Sequence, residues 1–99
     1  MIRHVVMFRW NESVTDEQLV ATAAALDALP GAIAEIVAYR HGRDLGIGAT
    51  NFQYAVTADF ANVDDFEAYR KHPEHQRFLA DHITGRVTER AAVQFEYSD

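Results

Sequence analysis

A tyrosine and two histidines lie close together in the sequence, at Tyr69, His72 and His75. His72 precedes Pro73, which biases its backbone toward extended geometry, so the helix before it is predicted to end there. Pro73 suits the first turn of a second helix, where its missing N–H costs nothing. Imidazole titrates near neutral pH, and a nearby phenol can share a proton with it. Tyr69 and His75 are therefore the predicted catalytic acid–base pair.

Such a pair suits the removal of a proton next to a carbonyl group. The base takes the proton while a donor holds the developing enolate oxygen. His75 is the candidate base in its neutral form, and Tyr69 either orients it or donates to the oxygen. In the alternative interpretation, Tyr69 packs in the core and His75 only satisfies a hydrogen bond at a helix start. The spacing alone leaves both interpretations open.

The elements that position the pair are predicted from hydrophobic periodicity and turn residues. Strands are expected over 2–10, about 33–41, 52–60 and about 88–97, with helices after Thr15, Asn62 and Pro73. Thr15 and Gln18 form a capping-box pattern at the start of the first helix, and Pro30-Gly31 is predicted to stop it. The glycine-rich loop 42–48 precedes a strand and lacks a Gly-Lys-Ser/Thr ending, so it does not match a phosphate-binding loop.

The predicted order β-α-β-β-α-β indicates an α+β, ferredoxin-like fold with a four-stranded antiparallel sheet. We expect one domain over residues 1–99, with helices on one face of the sheet only. The other face is predicted to carry Val5, Met7, Ala55 and Thr57, and to be covered by a second copy of the chain. A homodimer is therefore expected.

Composition narrows the range of partners. The net charge is −6 and the nine Lys and Arg form no basic run, which argues against nucleic acid and anionic membranes. No apolar run approaches the ~20 residues of a membrane span, the first residues lack a signal-peptide layout, and cytoplasmic localisation is expected. Cysteine is absent, which excludes thiolate chemistry. Because Pro73 separates His72 from His75, no metal site is predicted, and no cofactor is expected.

Four stretches of the chain together resemble the stress responsive A/B barrel (Dabb) family, a branch of the dimeric α+β barrel superfamily. They are Ile2–Phe8, the turn with Gly42 and Asp44, Tyr54–Phe60, and Asp65–His75 with its His-Pro-x-His step. The resemblance implies a homodimer whose two sheets curve together into a barrel with the helices outside. It also implies a small cavity between the sheet and the helices of each subunit.

A polyketide cyclase of this family closes a linear chain by intramolecular aldol condensation. It is similar to this chain in a tyrosine and a histidine spaced as Tyr69 and His75 are, and in a histidine where this chain has His4. Where the cyclase has a further pocket histidine on its third strand, this chain has Tyr54. The resemblance thus implies acid–base chemistry without a cofactor.

Strand alternation, helix spacing and the resemblance together predict the side chains that line the cavity beside Tyr69 and His75. They are His4, Tyr54, Phe8, Phe66, Phe78 and His82. His41 and His72 are expected to be solvated. The predicted function is a homodimer that binds a small hydrophobic oxygenated metabolite, with cyclase-like chemistry as its enzymatic form. The alternative is a non-catalytic stress-responsive or structural protein whose cavity is filled by Phe8, Phe66, Phe78 and Phe95.

Overall fold

Four strands form one antiparallel sheet in the computed structural model, which describes residues 1–99. The elements are β1 (Ile2–Trp10), α1 (Asp16–Ala32), β2 (Ala38–Arg43), β3 (Tyr54–Phe60), α2 (Val63–Lys71), α3 (Pro73–Phe78), a π-helical segment (Leu79–Ile83) and β4 (Val87–Glu96). The strand order is β2-β3-β1-β4. The predicted ferredoxin-like fold is confirmed. None of the helices combines the length and apolar character needed to cross a membrane.

Strand β1 alternates strictly between a buried and a half-exposed face. His4, Val6, Phe8 and Trp10 are buried against the helices, and the residues between them are half-exposed. Successive side chains of a strand point to opposite faces, which explains why the sequence predicted both faces correctly. The same alternation in β3 buries Tyr54, Val56, Ala58 and Phe60. The core therefore lies on the helical side of the sheet.

Helix α1 begins at the predicted capping box but continues past Pro30. The Thr15 hydroxyl accepts a hydrogen bond from the Gln18 backbone N–H at 3.1 Å, and the Gln18 side chain accepts from the Thr15 N–H at 3.0 Å. The prediction that Pro30-Gly31 ends the helix was wrong, because α1 runs to Ala32. Ile33, which is fully buried, closes the last turn with a 2.9 Å bond from its N–H to the Leu29 carbonyl. The burial of Ile33 offsets the loss of the backbone hydrogen bond that Pro30 cannot donate.

Strand β2 begins later than the sequence predicted. Ile33 caps α1 instead of opening a strand, and a turn follows in which the Ile36 N–H bonds to the Ile33 carbonyl at 3.3 Å. The strand proper extends over Ala38–Arg43, opposite β3. Ile33 and Ile36 pack against the core at the end of α1, and periodicity alone does not distinguish that from a strand.

The predicted break between two helices lies at His72. Asn62 caps α2 by accepting a 2.8 Å bond from the Asp65 N–H. His72 ends α2 with extended backbone angles, φ −61° and ψ 135°, as a residue before proline prefers. Its Nδ1 then accepts a 3.1 Å bond from the Glu74 N–H and caps α3. One histidine thus ends one helix and starts the next, which sets the angle between Tyr69 and His75.

Candidate active site

A cavity of about 550 Å³ lies between the helical face of the sheet and the helices α2 and α3. Six of the predicted site residues line it, namely His4, Phe8, Phe66, Tyr69, His75 and Phe78. Five polar or charged lining residues were not singled out from the sequence: Tyr39, Arg70, Gln76, Arg90 and Gln94. The remaining wall is aliphatic and includes Val6, Leu26, Val56, Leu79 and Ala92. The cavity is therefore mostly apolar, with polar groups on α2, α3 and the strands.

Tyr69 is buried on α2 and its hydroxyl is held by a second tyrosine. The Tyr69 and Tyr39 hydroxyl oxygens are 2.8 Å apart, so one donates to the other. Burial raises the pKa of Tyr69 to about 12 and also raises the pKa of Tyr39 well above its ordinary value. Both phenols are therefore protonated at neutral pH. When Tyr39 donates to Tyr69, the Tyr69 proton is free to be donated to a ligand.

His75 is oriented by a backbone carbonyl. Its Nδ1 lies 3.2 Å from the Arg70 carbonyl oxygen, which can only accept, so Nδ1 carries the ring proton in this contact. That tautomer leaves Nε2 with a free lone pair. Burial is the largest cause that lowers the pKa of His75, with added repulsion from Arg70 and Arg90, although the bond to the Arg70 carbonyl raises it. His75 is thus a neutral imidazole whose Nε2 can accept a proton.

The rings of Tyr69 and His75 are in tilted contact and share no hydrogen bond. Their ring centroids are 4.2 Å apart with the planes tilted by 39°. The hydroxyl of Tyr69 bonds to Tyr39 and the Nδ1 of His75 bonds to the Arg70 carbonyl. The expectation that this phenol and imidazole share a proton directly is therefore wrong. The turn at His72-Pro73 brings the imidazole ring against the phenol ring, and the polar atoms of each ring have separate partners.

His4 contributes a second neutral imidazole to the cavity. The Gln94 side-chain amide donates to His4 Nδ1 at 2.8 Å, which places the ring proton on Nε2. Burial, followed by repulsion from Arg90, lowers the pKa of His4 to about 4. Its ring packs against Phe66 at 5.0 Å between centroids. Its Nε2–H has no hydrogen-bond partner in the chain. It is not fully buried, unlike the indole nitrogen of Trp10, which also has no partner. A ligand in the cavity can accept from His4.

Tyr54 lies on β3 as predicted but does not line this cavity. Its hydroxyl donates to His41 Nδ1 at 2.8 Å, and His41 Nε2 in turn donates to the Asp27 carboxylate at 2.6 Å. The side chain of His41 is only 11% exposed, so the expectation that it is solvated is wrong. Burial raises the pKa of Tyr54. This chain of hydrogen bonds joins β3 through β2 to α1, away from the cavity.

His82 is also placed outside the cavity. It stacks on Phe78 with 5.5 Å between ring centroids, and its Nδ1 is 3.3 Å from the Thr22 hydroxyl. The sequence placed it on the stripe of His75 and Phe78 by assuming an unbroken α-helix. The π-helical segment Leu79–Ile83 has a wider turn, which shifts the direction of every later side chain. The structure contains no group of three or more His, Asp or Glu side chains arranged to hold a metal ion.

Comparison with known proteins identifies a matching family model and solved structures with the same fold. Residues 2–97 match the family model described as the stress responsive A/B barrel domain. A dimeric ferredoxin-like protein of unknown function from Thermobifida fusca superposes with a TM-score of 0.90 at 45% identity, over 97% of this chain and 90% of that chain. A dimeric protein of unknown function with a ferredoxin-like fold from Bacteroides fragilis gives 0.77 at 30% identity, over 97% and 95%.

A third solved structure has the same fold at lower identity. The hydroxynitrile lyase from Passiflora edulis superposes with a TM-score of 0.86 at 22% identity, over 99% of this chain and 94% of that chain. At that identity the likeness shows the fold alone. The two more similar structures both have dimeric assemblies and no assigned activity.

Proposed function

The chain belongs to the stress responsive A/B barrel domain family, and we propose that it is a homodimer that binds a hydrophobic carbonyl compound and transfers a proton next to the carbonyl. The observation that carries the proposal is the neutral His75, with Nε2 unprotonated, beside the protonated Tyr69 in an open cavity. A base and a donor that face one apolar space are what enolisation needs.

The proposed reaction uses only groups of this chain. His75 Nε2 accepts the proton from the carbon next to the carbonyl, and the electrons of that C–H bond form the enolate. Tyr69 donates a hydrogen bond to the enolate oxygen, while Tyr39 holds the Tyr69 hydroxyl in place. In an aldol closure, the enolate carbon attacks a second carbonyl of the same molecule, and the new alkoxide takes the proton back from His75. His75 thus ends the reaction in its neutral form, and Tyr69 and Tyr39 keep their own protons throughout.

The cavity walls support binding of a largely apolar molecule. Phe8, Phe66 and Phe78 line it together with aliphatic side chains from the sheet. Its volume of about 550 Å³ falls in the range of small-molecule sites, roughly 300–1,000 Å³. In the alternative, structural role, these aromatic rings and Phe95 would fill the cavity. Phe95 instead lies on the other face of the sheet, 45% exposed and opposite Arg3 of β1, and the cavity is open.

Homodimerisation is proposed through the face of the sheet that carries no helix. Val5 and Met7 of β1 pair there with Val93 and Ala91 of β4, and all four side chains remain at least partly exposed. An apolar sheet face of this kind is costly to leave in water. The dimeric assemblies of the Thermobifida and Bacteroides structures support the same arrangement here.

Proton exchange in heavy water tests the proposed chemistry. We expect the protein to accelerate the loss of the α-proton NMR signals of neutral aryl and alkyl ketones, such as 4-phenyl-2-butanone. His75→Ala should lower that rate by about 10²–10⁴-fold, the usual contribution of a general base. Tyr69→Phe should lower it as well.

His72→Asn is the matched control, because it removes a histidine outside the cavity while asparagine can still cap α3. Its exchange rate should equal that of the parent protein. If the ketones raise the melting temperature but their protons exchange no faster than in buffer, the protein binds without chemistry. Equal rates for the parent protein and His75→Ala would contradict the proposed role of His75.

A further inference from the structure

The charges around the cavity are opposite in sign to those of the chain as a whole. The chain has 15 Asp and Glu against nine Lys and Arg, for a net charge of −6. The cavity lining nevertheless contains two arginines, Arg70 and Arg90, and no Asp or Glu. A site lined by one sign of charge concentrates ligands of the opposite sign. The lining therefore favours an anionic ligand in an otherwise acidic protein.

The two arginines of the lining differ in their partners. Arg70 forms an ion pair with Glu67 at 3.1 Å, which offsets its charge. Arg90 makes no side-chain hydrogen bond and no ion pair with any residue of the chain. Arg40 and Arg86 also lack such partners but lie outside the cavity. Arg90 is thus the one lining guanidinium whose hydrogen-bond donors are all free for a ligand.

The register of β4 places Arg90 on the cavity side of the sheet. Gln94 pairs with His4, Ala92 with Val6 and Arg90 with Phe8, so all three β4 residues lie on the helix-bearing side of the sheet, where they are exposed. A strand rises about 3.3 Å per residue, so the Arg90 backbone lies roughly 13 Å from that of Gln94. The positive charge of Arg90 lowers the pKa of His4 and of His75, although burial is the larger cause at both.

We propose that Arg90 selects hydrophobic oxo acids, whose carboxylate it binds while the carbonyl lies at Tyr69 and His75. The inference rests on the proposed function and names the substrate class of the same site. A guanidinium binds a carboxylate through two parallel hydrogen bonds. One free guanidinium and an apolar wall match a single charge on a hydrocarbon body, whereas a polyphosphate needs several cations.

A matched pair of probes tests the charge preference. 5-Oxo-5-phenylpentanoate and its methyl ester share the ketone and the aromatic ring and differ in one negative charge. Calorimetric titration at low ionic strength should give a dissociation constant about tenfold lower for the acid, the usual scale for an exposed charge-assisted hydrogen bond. Added salt should weaken binding of the acid and leave binding of the ester unchanged.

Variants of Arg90 test whether this side chain causes the preference for the acid over the ester. Arg90→Gln should remove the difference between acid and ester, and Arg90→Lys should retain part of it. Arg77→Gln is the control, because it removes a positive charge from an exposed residue of α3 that does not line the cavity. It should leave the preference intact. Equal affinities for acid and ester, or a preference that survives in Arg90→Gln, would overturn the inference.

The same probes separate this inference from the proposed function. If the ester exchanges its α-protons in a His75-dependent way and the acid binds no tighter, the selection by Arg90 is wrong and proton transfer stands. If the acid binds through Arg90 but neither compound exchanges, the charge selection stands and the chemistry fails. If neither compound binds or exchanges, both are overturned.

Discussion

Tyr69 and His75 are held by different partners, which gives them separate roles at the scale of single residues. Tyr69 is aligned through its hydroxyl by Tyr39 of β2, and His75 through its Nδ1 by the carbonyl of Arg70. The phenol is therefore arranged as a donor and the imidazole as an acceptor. Because each polar atom is fixed by its own contact, Tyr69→Phe, which keeps the ring, should leave the geometry of His75 in place.

Removing the Tyr39 hydroxyl tests whether it positions Tyr69. Tyr39→Phe should lower ketone proton exchange by roughly tenfold, a smaller loss than from the donor itself, because Tyr69 keeps its proton but loses its alignment. The double variant Tyr39→Phe/Tyr69→Phe should be no slower than Tyr69→Phe alone, since residues of one network are not additive. Tyr97→Phe removes a phenol remote from the cavity and should have no effect. Additive losses in the double variant would contradict the positioning role.

At this scale the sequence predicted the pair but not its partners. Tyr69 and His75 were identified from the proline between them and from the family resemblance. Tyr39 was missed because its role comes from the approach of β2 to α2, which no local spacing encodes. The Gln94 contact with His4 depends on the register of strands separated by most of the chain. The alternation of β4 could have shown only that Gln94 shares a face with Arg90 and Ala92.

At the scale of elements, a hydrogen-bond network of Tyr54, His41 and Asp27 connects the sheet to the first helix. It runs from β3 through β2 to α1 in two short hydrogen bonds of 2.8 and 2.6 Å. Tyr54 is buried, whereas the Asp27 side chain is 74% exposed. The bond to Tyr54 therefore matters more to stability than the contact of His41 with the exposed Asp27 carboxylate.

Substitutions of the three residues in this hydrogen-bond network should have unequal effects on the free energy of unfolding. His41→Leu should cost about 1–3 kcal/mol, because it leaves the Tyr54 hydroxyl buried without a partner. Adding Tyr54→Phe should recover part of that loss by removing the hydroxyl. Asp27→Asn should change stability by less than about 0.5 kcal/mol. Urea denaturation measures all three, and a larger loss for Asp27→Asn than for His41→Leu would contradict this ranking.

Element types were predicted better than element ends. The strands β1 and β3 follow from alternation, and the starts of α1 and α2 from their caps at Thr15 and Asn62. The end of α1 and the start of β2 were misplaced, because the burial of Ile33 overrides the local effect of Pro30. The π-helical segment was missed as well. Nothing in the local pattern marks it, and it moved His82 away from the predicted site.

At the scale of the whole molecule, the cavity and the proposed dimer surface lie on opposite faces of one sheet. Helices cover one face, and the other carries apolar side chains that include Val93 at 55% and Phe95 at 45% exposure. The alternation of β1 and β3 was sufficient to predict this division. Ligand binding and dimerisation should therefore respond to different substitutions.

A charge on the open face of the sheet should prevent dimerisation. Val93→Asp places a carboxylate among apolar residues, which is costly to bury without a partner. We expect light scattering to report twice the 11.2 kDa chain mass for the parent protein and the single mass for the variant. Val63→Asp is the control, with an equally exposed valine, 57%, at the start of α2. A monomeric parent protein, or a dimer that survives Val93→Asp, would contradict the assignment of this face.

The protonation state of His75 is the property on which the proposed chemistry depends most directly. Burial lowers its pKa below the ordinary value of 6.5, so the ring should stay neutral as the pH falls through 6.5 and gain its proton only below. Long-range ¹H–¹⁵N NMR spectra of protein with labelled histidine report the state of each ring nitrogen, and His75→Ala assigns the signals. We predict that Nδ1 carries the proton at pH 7, that Nε2 is unprotonated, and that the Nε2 signal moves when a ketone is added. A His75 that titrates at or above 6.5, or that carries its neutral proton on Nε2, would contradict the proposed role of His75 as the base.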